Sequence, residues 1–424
     1  MGTPAESASH SSRGRIASVL AGVGAVTGVA ALGAAAAAGA AGAMVANAVV
    51  RPPRRRAEPI QVFRVWEDEE GLFVELEATA DSRLAGDPGV YSLWFGDGSG
   101  HAVVGEIVKE TWDRVVRRVL RVDAGTLTPA ITHARMNGWV WLDPESAGIE
   151  RYENVLVPAP LGENPAWFVP GRRDSTKWMI HVHGRAAERA ETLRGVQLAQ
   201  ERNFQSLVIP YRTDLSAVPS PDRRYALGAT EWHDVEAAIE YALERGATKI
   251  VLMGWSMGGA AVLQTAVHSS HRDVIAGLIL DSPVVDWRET LIYQSESAGI
   301  PEGIRRIAMG LLSTQPGRRV LNAEQAVDWD ALDWVTRASE LTVPTLILHS
   351  DDDGYVPSGP SRELAAARPE LVTLVPFHTA RHCKLWNFDR PLWERSIVSW
   401  MRAQHLSAGK LPPIEESAPD EPEE

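Results

Sequence analysis

The sequence predicts an α/β fold with a mostly parallel sheet, preceded by a small β-rich domain and an uncharged N-terminal segment. Three observations carry this. After about residue 175, fully apolar strand-like runs alternate with amphipathic helical stretches, the pattern of a parallel sheet covered on both faces. Between residues 60 and 165, short runs of alternating polarity are separated by Gly, Asp and Pro clusters. Residues 16–50 carry no charged side chain. At 424 residues the chain is long enough for more than one domain.

Residues 1–58 are expected to form an N-terminal membrane anchor with basic flanks. A span needs roughly 20 apolar residues, which the run 16–50 exceeds even though Ala and Gly dominate it. Arg13 and Arg15 precede the run, and Arg51, Arg54, Arg55 and Arg56 follow it. The larger basic cluster lies on the C-terminal side, which favours a cytoplasmic body. Two alternatives stand. One is an exported chain cut near Ala46-Asn47-Ala48, although the apolar run is longer than the usual ~7–15 residues of a signal peptide. The other is an Ala/Gly-rich leader without fixed structure. At the other end, residues 406–424 are rich in Pro and Glu and are expected to be a disordered acidic tail.

Composition narrows the function classes. The net charge of −13 argues against nucleic acid as a partner, because phosphates need a basic face. The single cysteine, Cys383, excludes an intramolecular disulfide and a Cys-based metal site.

The β-rich domain is assigned to 59–165, with strands read in IQVFRVWE, GLFVELEA, GVYSLWFG, HAVVGEIVKE and RVVRRVLRVD. The segment 157–171, VPAPLGENPAWFVPG, reads as a linker because of its prolines. The α/β body is assigned to 166–405. Its strands are expected at Trp178–Val182, Ser206–Ile209, Lys249–Met253, Ile275–Leu280 and Thr345–Leu348. A helix is expected over 231–247, with Val235, Ala238, Ile239 and Ala242 on one face, and a last one around Pro391–Met401. Ligands of such sheets bind at the carboxyl ends of the strands, so the chemistry should follow those runs.

One run ends in Gly254-Trp255-Ser256-Met257-Gly258-Gly259 and leads into AAVLQTA. The glycines serve close strand–helix packing, or they present Ser256 as a nucleophile in a sharp strand-to-helix turn. A serine nucleophile needs a base, and the base an acid, expected downstream in the order acid, then histidine. The acidic loop in VPTLILHSDDDGYVP offers Asp351, Asp352 and Asp353. The frame from His349 to Pro357 puts Asp353 in the acid position, with Asp281 at the end of an earlier strand in reserve. The segment PFHTARHCKLWNFD offers His378 and His382, of which His382 is preferred, and His405 is the remaining downstream candidate. Acyl transfer also needs oxyanion donors. The Met257 amide and the Arg185 amide, in the loop after strand Trp178–Val182, are the candidates. His181 and His183 could be read as a metal pair, but no third ligand lies near them in sequence. Residues 282–340 hold amphipathic stretches with Trp287, Tyr293, Trp329 and Trp334, and read either as a helical lid or as ordinary crossover helices.

The segments HVHGR, MGWSMGG, LILDSPVVDW, LILHSDDDGYVP and ARHCKLWNFD carry a resemblance. Over residues 175–402 the chain resembles the α/β-hydrolases of the serine aminopeptidase-like and monoacylglycerol-lipase-like group, including bacterial membrane-anchored members. The resemblance implies Ser256, Asp353 and His382 as a triad, with Arg185 and Met257 as amide donors. Ser350 stands where that group usually has glycine, and Cys383 and Lys384 where small or polar residues are expected. The expected activity is hydrolysis of a small or lipidic acyl ester through an acyl-serine, with no metal or organic cofactor. A peptidase or amidase with the same triad, or an inactive membrane-tethered binding protein, are the alternatives.

Overall fold

The computed structural model describes residues 36–53 and 55–407. The chain divides into two compact units, Met1–Val49 with Ser295–Ala326, and Val50–Gln294 with Val327–Glu424. The first element is helix α1, residues 36–50. No helix among the described residues is long and apolar enough to cross a membrane. Of the expected anchor and flanks, 1–58, residues 1–35 and 54 lie outside the described residues, and so does the first part of the apolar span 16–50. The remainder of that span is α1, which packs within its unit against Ile307, where Gly42 leaves no room for a Cβ. The expected tail beyond residue 407 also lies outside them.

Strands β1 (Ile60–Asp68), β2 (Gly71–Glu77), β3 (Tyr91–Phe95), β4 (Gly100–Glu110), β5 (Arg114–Ala124) and β6 (His133–Asn137) close into a barrel in the order β1-β2-β5-β4-β3-β6. A register shift between Val62 and Arg64 turns Val65, rather than Arg64, into the apolar interior. β6, too short to show a clear period, closes the barrel by pairing with β1 and β3. Arg117 is fully buried in the barrel, where its guanidinium donates to the carbonyls of Ser82, Leu84 and Gly105. Burial lowers its pKa to about 10.

The α/β body begins earlier than expected. β7 (Glu153–Ala159) and β8 (Gly162–Val169) form a hairpin at the edge of an eight-stranded sheet, not a linker. The prolines are tolerated there for a physical reason. Pro158 is on the edge strand, and Pro165 lies outside the Trp167–Val169 stretch that pairs with β10. The remaining elements are β9 (Lys177–Val182), α2 (Leu193–Glu201), β10 (Gln205–Ile209), α3 (Trp232–Glu244), β11 (Lys249–Trp255), α4 (Met257–His268), β12 (Ile275–Asp281), α5 (Trp287–Ser297), α6 (Glu302–Ser313), α7 (Gln315–Leu321), β13 (Thr345–Ser350), α8 (Gly359–Ala367), β14 (Val372–Phe377), α9 (Leu385–Phe388) and α10 (Arg390–Ala403). The sheet order is β14-β13-β12-β11-β9-β10-β8-β7, parallel from β14 through β10. The proposed lid region divides. Residues 295–326 belong to the first unit, whereas Trp287, Trp329 and Trp334 are buried and Trp287 donates to the Leu227 carbonyl.

Candidate active site

Ser256 sits in the turn between β11 and α4 with φ 51° and ψ −118°. A non-glycine residue held there carries strain of order 1–3 kcal/mol, so the surroundings must enforce it. They do so by close packing. At Gly258 a Cβ would overlap the carbonyls of Val182 and His183, and at Gly254 it would stand 2.7 Å from the Gly258 oxygen. The Ser256 amide donates to the Asp281 carbonyl at 3.0 Å, and its carbonyl accepts from Val284 at 3.1 Å. The glycines therefore serve both packing and presentation.

The structure brings Ser256, His382 and Asp353 together. His382 Nε2 is 3.0 Å from Ser256 Oγ, and its Nδ1 is 2.7 Å from Asp353 Oδ2. The other carboxylate oxygen, Oδ1, accepts from the amides of Tyr355 at 2.9 Å and Val356 at 2.8 Å. Burial alone would raise the Asp353 pKa, but His382 and His349 hold it well below the ordinary carboxylate range. An ionised carboxylate only accepts, so His382 Nδ1 carries the proton and Nε2 is left to accept from the Ser256 hydroxyl. For His382, burial pulls the pKa down, yet the Asp353 charge and hydrogen bond outweigh it and the net shift is upward.

The other acids and histidines are accounted for elsewhere. Asp351 pairs with Arg362 and His378, and Asp352 with Arg381. Asp281 accepts from Trp393 Nε1 at 2.9 Å and Ser282 Oγ at 3.0 Å. His378 is exposed beside Asp351, and His405 is exposed after α10. Ser350, in place of glycine, is buried and its Oγ accepts from the Asp352 amide.

The loop after β9 lies against the nucleophile, with Gly184 so close that a Cβ would stand 3.1 Å from Ser256 Cβ. Gly184 is clamped through both of its flanking peptides. Its amide donates to Glu191 Oε2 at 2.8 Å, and its carbonyl accepts from Tyr211 Oη at 2.8 Å and His183 Nδ1 at 2.9 Å. The trans peptide between Gly184 and Arg185 opposes the Gly184 C=O and the Arg185 N–H, so the Arg185 amide is directed away from Tyr211 and His183. The Met257 amide, first in α4, has no intrahelical acceptor. His183 Nε2 pairs with Asp214 at 2.8 Å. His181, on the opposite side of the chain, contacts Ser206 and is driven by burial to a pKa of about 3. The two histidines thus serve separate networks. Among the described residues, Glu236, Glu240 and His271 lie close enough to share an ion, but they are partly exposed and outside this site.

Sequence reasoning missed the supports of these groups. His349 Nε2 lies 3.4 Å from Asp353 Oδ2 while its Nδ1 contacts Ser361. Tyr211, Asp214 and Glu191 hold the Gly184 loop. Buried Arg194 donates to the Cys383 carbonyl at 2.8 Å and to Asn387 at 2.9 Å. Only the frame around His349 and Asp353 offered a local signal.

Residues 222–406 match the profile of the prolyl oligopeptidase family, a stretch that contains Ser256, Asp353 and His382. This part of the chain has the α/β-hydrolase fold. Residues 62–137 match a domain of unknown function (DUF8805). No curated protein matches the chain in sequence. Among solved structures, the chain is similar to Pyrococcus furiosus esterase Pf2001, with 14% identity over 62% of this chain and 94% of that one, at a TM-score of 0.48. A thermophilic esterase from Thermogutta terrifontis shares 21% identity over 60% of this chain and 99% of its own, at 0.42. Esterase RhEst1 from Rhodococcus sp. ECU1013 shares 14% over 59% and 99%, also at 0.42. These likenesses are distant.

Proposed function

We propose that this α/β-hydrolase cleaves carboxylic esters through an acyl-serine intermediate. The observation that carries the reading is the continuous hydrogen-bonded run from Ser256 Oγ through His382 to Asp353. Ser256 Oγ attacks the ester carbonyl while its proton passes to His382 Nε2. The oxyanion is received by the amides of Met257 and Arg185, each such donor contributing roughly 3 kcal/mol. The alkoxide leaves with the proton from His382. A water then repeats the cycle, releasing the acid and restoring Ser256. Esters are less demanding acyl donors than amides for this machinery, since the ester carbonyl is less stabilised by resonance and an alkoxide leaves more readily than an amide anion. A chain of this geometry that cleaved amides would also cleave activated esters, whereas the converse does not hold.

The match to the prolyl oligopeptidase family favours a second reading, a peptidase using the same residues. Labelling by a fluorophosphonate tests the nucleophile: the wild type is labelled and Ser256→Ala is not. Rates on p-nitrophenyl esters of graded acyl length, set against aminoacyl anilides, decide between the readings. A preference for the anilides overturns the ester assignment.

A further inference from the structure

Asp81 lies on the barrel segment between β2 and β3, yet its carboxylate meets the loop that bears His382. Lys384 Nζ donates to Asp81 Oδ1 at 2.5 Å, and Arg381 Nε lies 3.9 Å from the same oxygen. These two cations flank His382 in sequence. Arg381 also pairs with Asp352 at 3.2 Å, beside the acid Asp353, and its guanidinium rests on Gly354, where a Cβ would have no room. One barrel carboxylate is thus tied to both sides of the histidine and, through Arg381, to the acid loop.

The backbone makes the same connection. The Asp87 amide donates to the Phe388 carbonyl and the Arg390 amide to the Asp87 carbonyl, each at 2.7 Å. The Gly89 amide donates to the Asn387 carbonyl at 3.0 Å. Asn387 Nδ2 donates to the carbonyls of Val90 at 2.7 Å and Gly138 at 3.0 Å. Gly86, with φ +107°, passes so close to Phe388 that no Cβ fits. The barrel side of this junction is itself held rigidly. Arg117 grips the carbonyls of Ser82 and Leu84, Ser82 Oγ caps the Thr79 amide at 2.8 Å, and Tyr91 Oη donates to the Ala85 carbonyl at 2.6 Å.

We propose that the barrel is a clamp on the histidine loop, and that Asp81 is the positioning residue through which it holds His382 within reach of both Ser256 and Asp353. Lys384 is 7% exposed, so its ammonium depends on the Asp81 carboxylate for compensation. Removing that partner lets the loop shift, and a displacement of about 1 Å costs about a hundredfold in rate.

The inference rests on the serine-hydrolase reading, and the test separates the two. Full-length wild type, Asp81→Asn, Lys384→Met and the double variant are compared for fluorophosphonate labelling rate and for kcat and KM on p-nitrophenyl butyrate. Thermal unfolding is followed in parallel. Asp81→Asn and Lys384→Met are each expected to lower kcat and the labelling rate by about 10- to 100-fold with KM little changed. The double variant should lose no more than either single one. Glu106→Gln, which alters a barrel ion pair with Arg118 away from the junction, should match the wild type. A merely structural role would lower the unfolding temperature and leave kcat per folded molecule unchanged, which overturns the proposal. Should Asp81→Asn fail to fold, wild-type kcat in Lys384→Met overturns it equally. Unlabelled wild type counts against the hydrolase reading instead.

Discussion

Replacing Asp353 by Asn tests the proton arrangement of the site with no change in shape. The outcome follows from which carboxylate oxygen each neighbour uses. Oδ1 accepts from two backbone amides, of Tyr355 and Val356. An asparagine must therefore keep its carbonyl oxygen there, because turning the NH2 group toward two N–H donors would lose both bonds. The NH2 then replaces Oδ2 and faces His382 Nδ1 across 2.7 Å. Nδ1 has to become the acceptor, the proton moves to Nε2, and Nε2 can no longer take the Ser256 proton. The geometry survives while the tautomer is wrong, for which the expected loss is about 10⁴ in kcat, or about 5.5 kcal/mol of barrier. The assay is kcat on p-nitrophenyl butyrate at neutral pH, with the fold checked by circular dichroism. A folded Asp353→Asn enzyme within about tenfold of wild type would refute the assignment of Asp353 as the orienting acid. His349 adds a stability readout. Its Nε2 faces both the Val356 carbonyl at 3.2 Å and Asp353 Oδ2, so it carries the proton, and the new NH2 would oppose a donor with a donor.

Three further outcomes follow from the same contacts. His382 must be neutral to accept a proton and its pKa is raised above 6.5, so the acid limb of the kcat/KM profile should lie above that value, with activity lost as pH falls through it; a limb below it contradicts the Asp353 coupling. Tyr211→Phe removes one of two donors to the Gly184 carbonyl and should lower kcat by about tenfold, the worth of one hydrogen bond, with KM little changed. A rise in KM alone would show that Tyr211 acts on binding and not through the Gly184 loop. Gly258→Ala drives a methyl into the Val182 and His183 carbonyls and should destabilise the fold by about 3 kcal/mol or more, read from the urea midpoint. An unchanged midpoint would mean that β9 and α4 are not held at this separation.

What the sequence revealed, and what it concealed, divides along physical lines. Strands β9 to β13 were legible because both faces are buried and each carries a run of mostly apolar residues. The β7–β8 hairpin was not, because an edge position admits the prolines that signal a linker. Within the site, Ser256, Asp353 and His382 follow strands in a readable order. The choice among three adjacent aspartates rested on spacing to Val356 and Pro357, and that spacing has a cause: Asp353 Oδ1 caps the Tyr355 and Val356 amides of its own turn. The supports escaped because they join residues remote in sequence, with no period to betray them. His183 meets Asp214, Arg194 meets Asn387, and Asp81 meets Lys384 across 303 positions.

The departures from the hydrolase pattern at Cys383 and Lys384 acquire a meaning from this. Cys383 has φ 52°, donates its amide to Ser282 Oγ at 3.2 Å, and gives its carbonyl to Arg194. Lys384 is buried against a carboxylate that only the barrel supplies. The barrel thus supplies the carboxylate that compensates the buried ammonium, a partner that a lysine at this depth requires. The unusual residues after the catalytic-position histidine are thus the hydrolase half of an interface, and Asp81 is its counterpart. By this reasoning, substituting Lys384 alone should expose a dependence on the barrel that substituting Cys383 by Ser, which keeps the backbone bonds, does not.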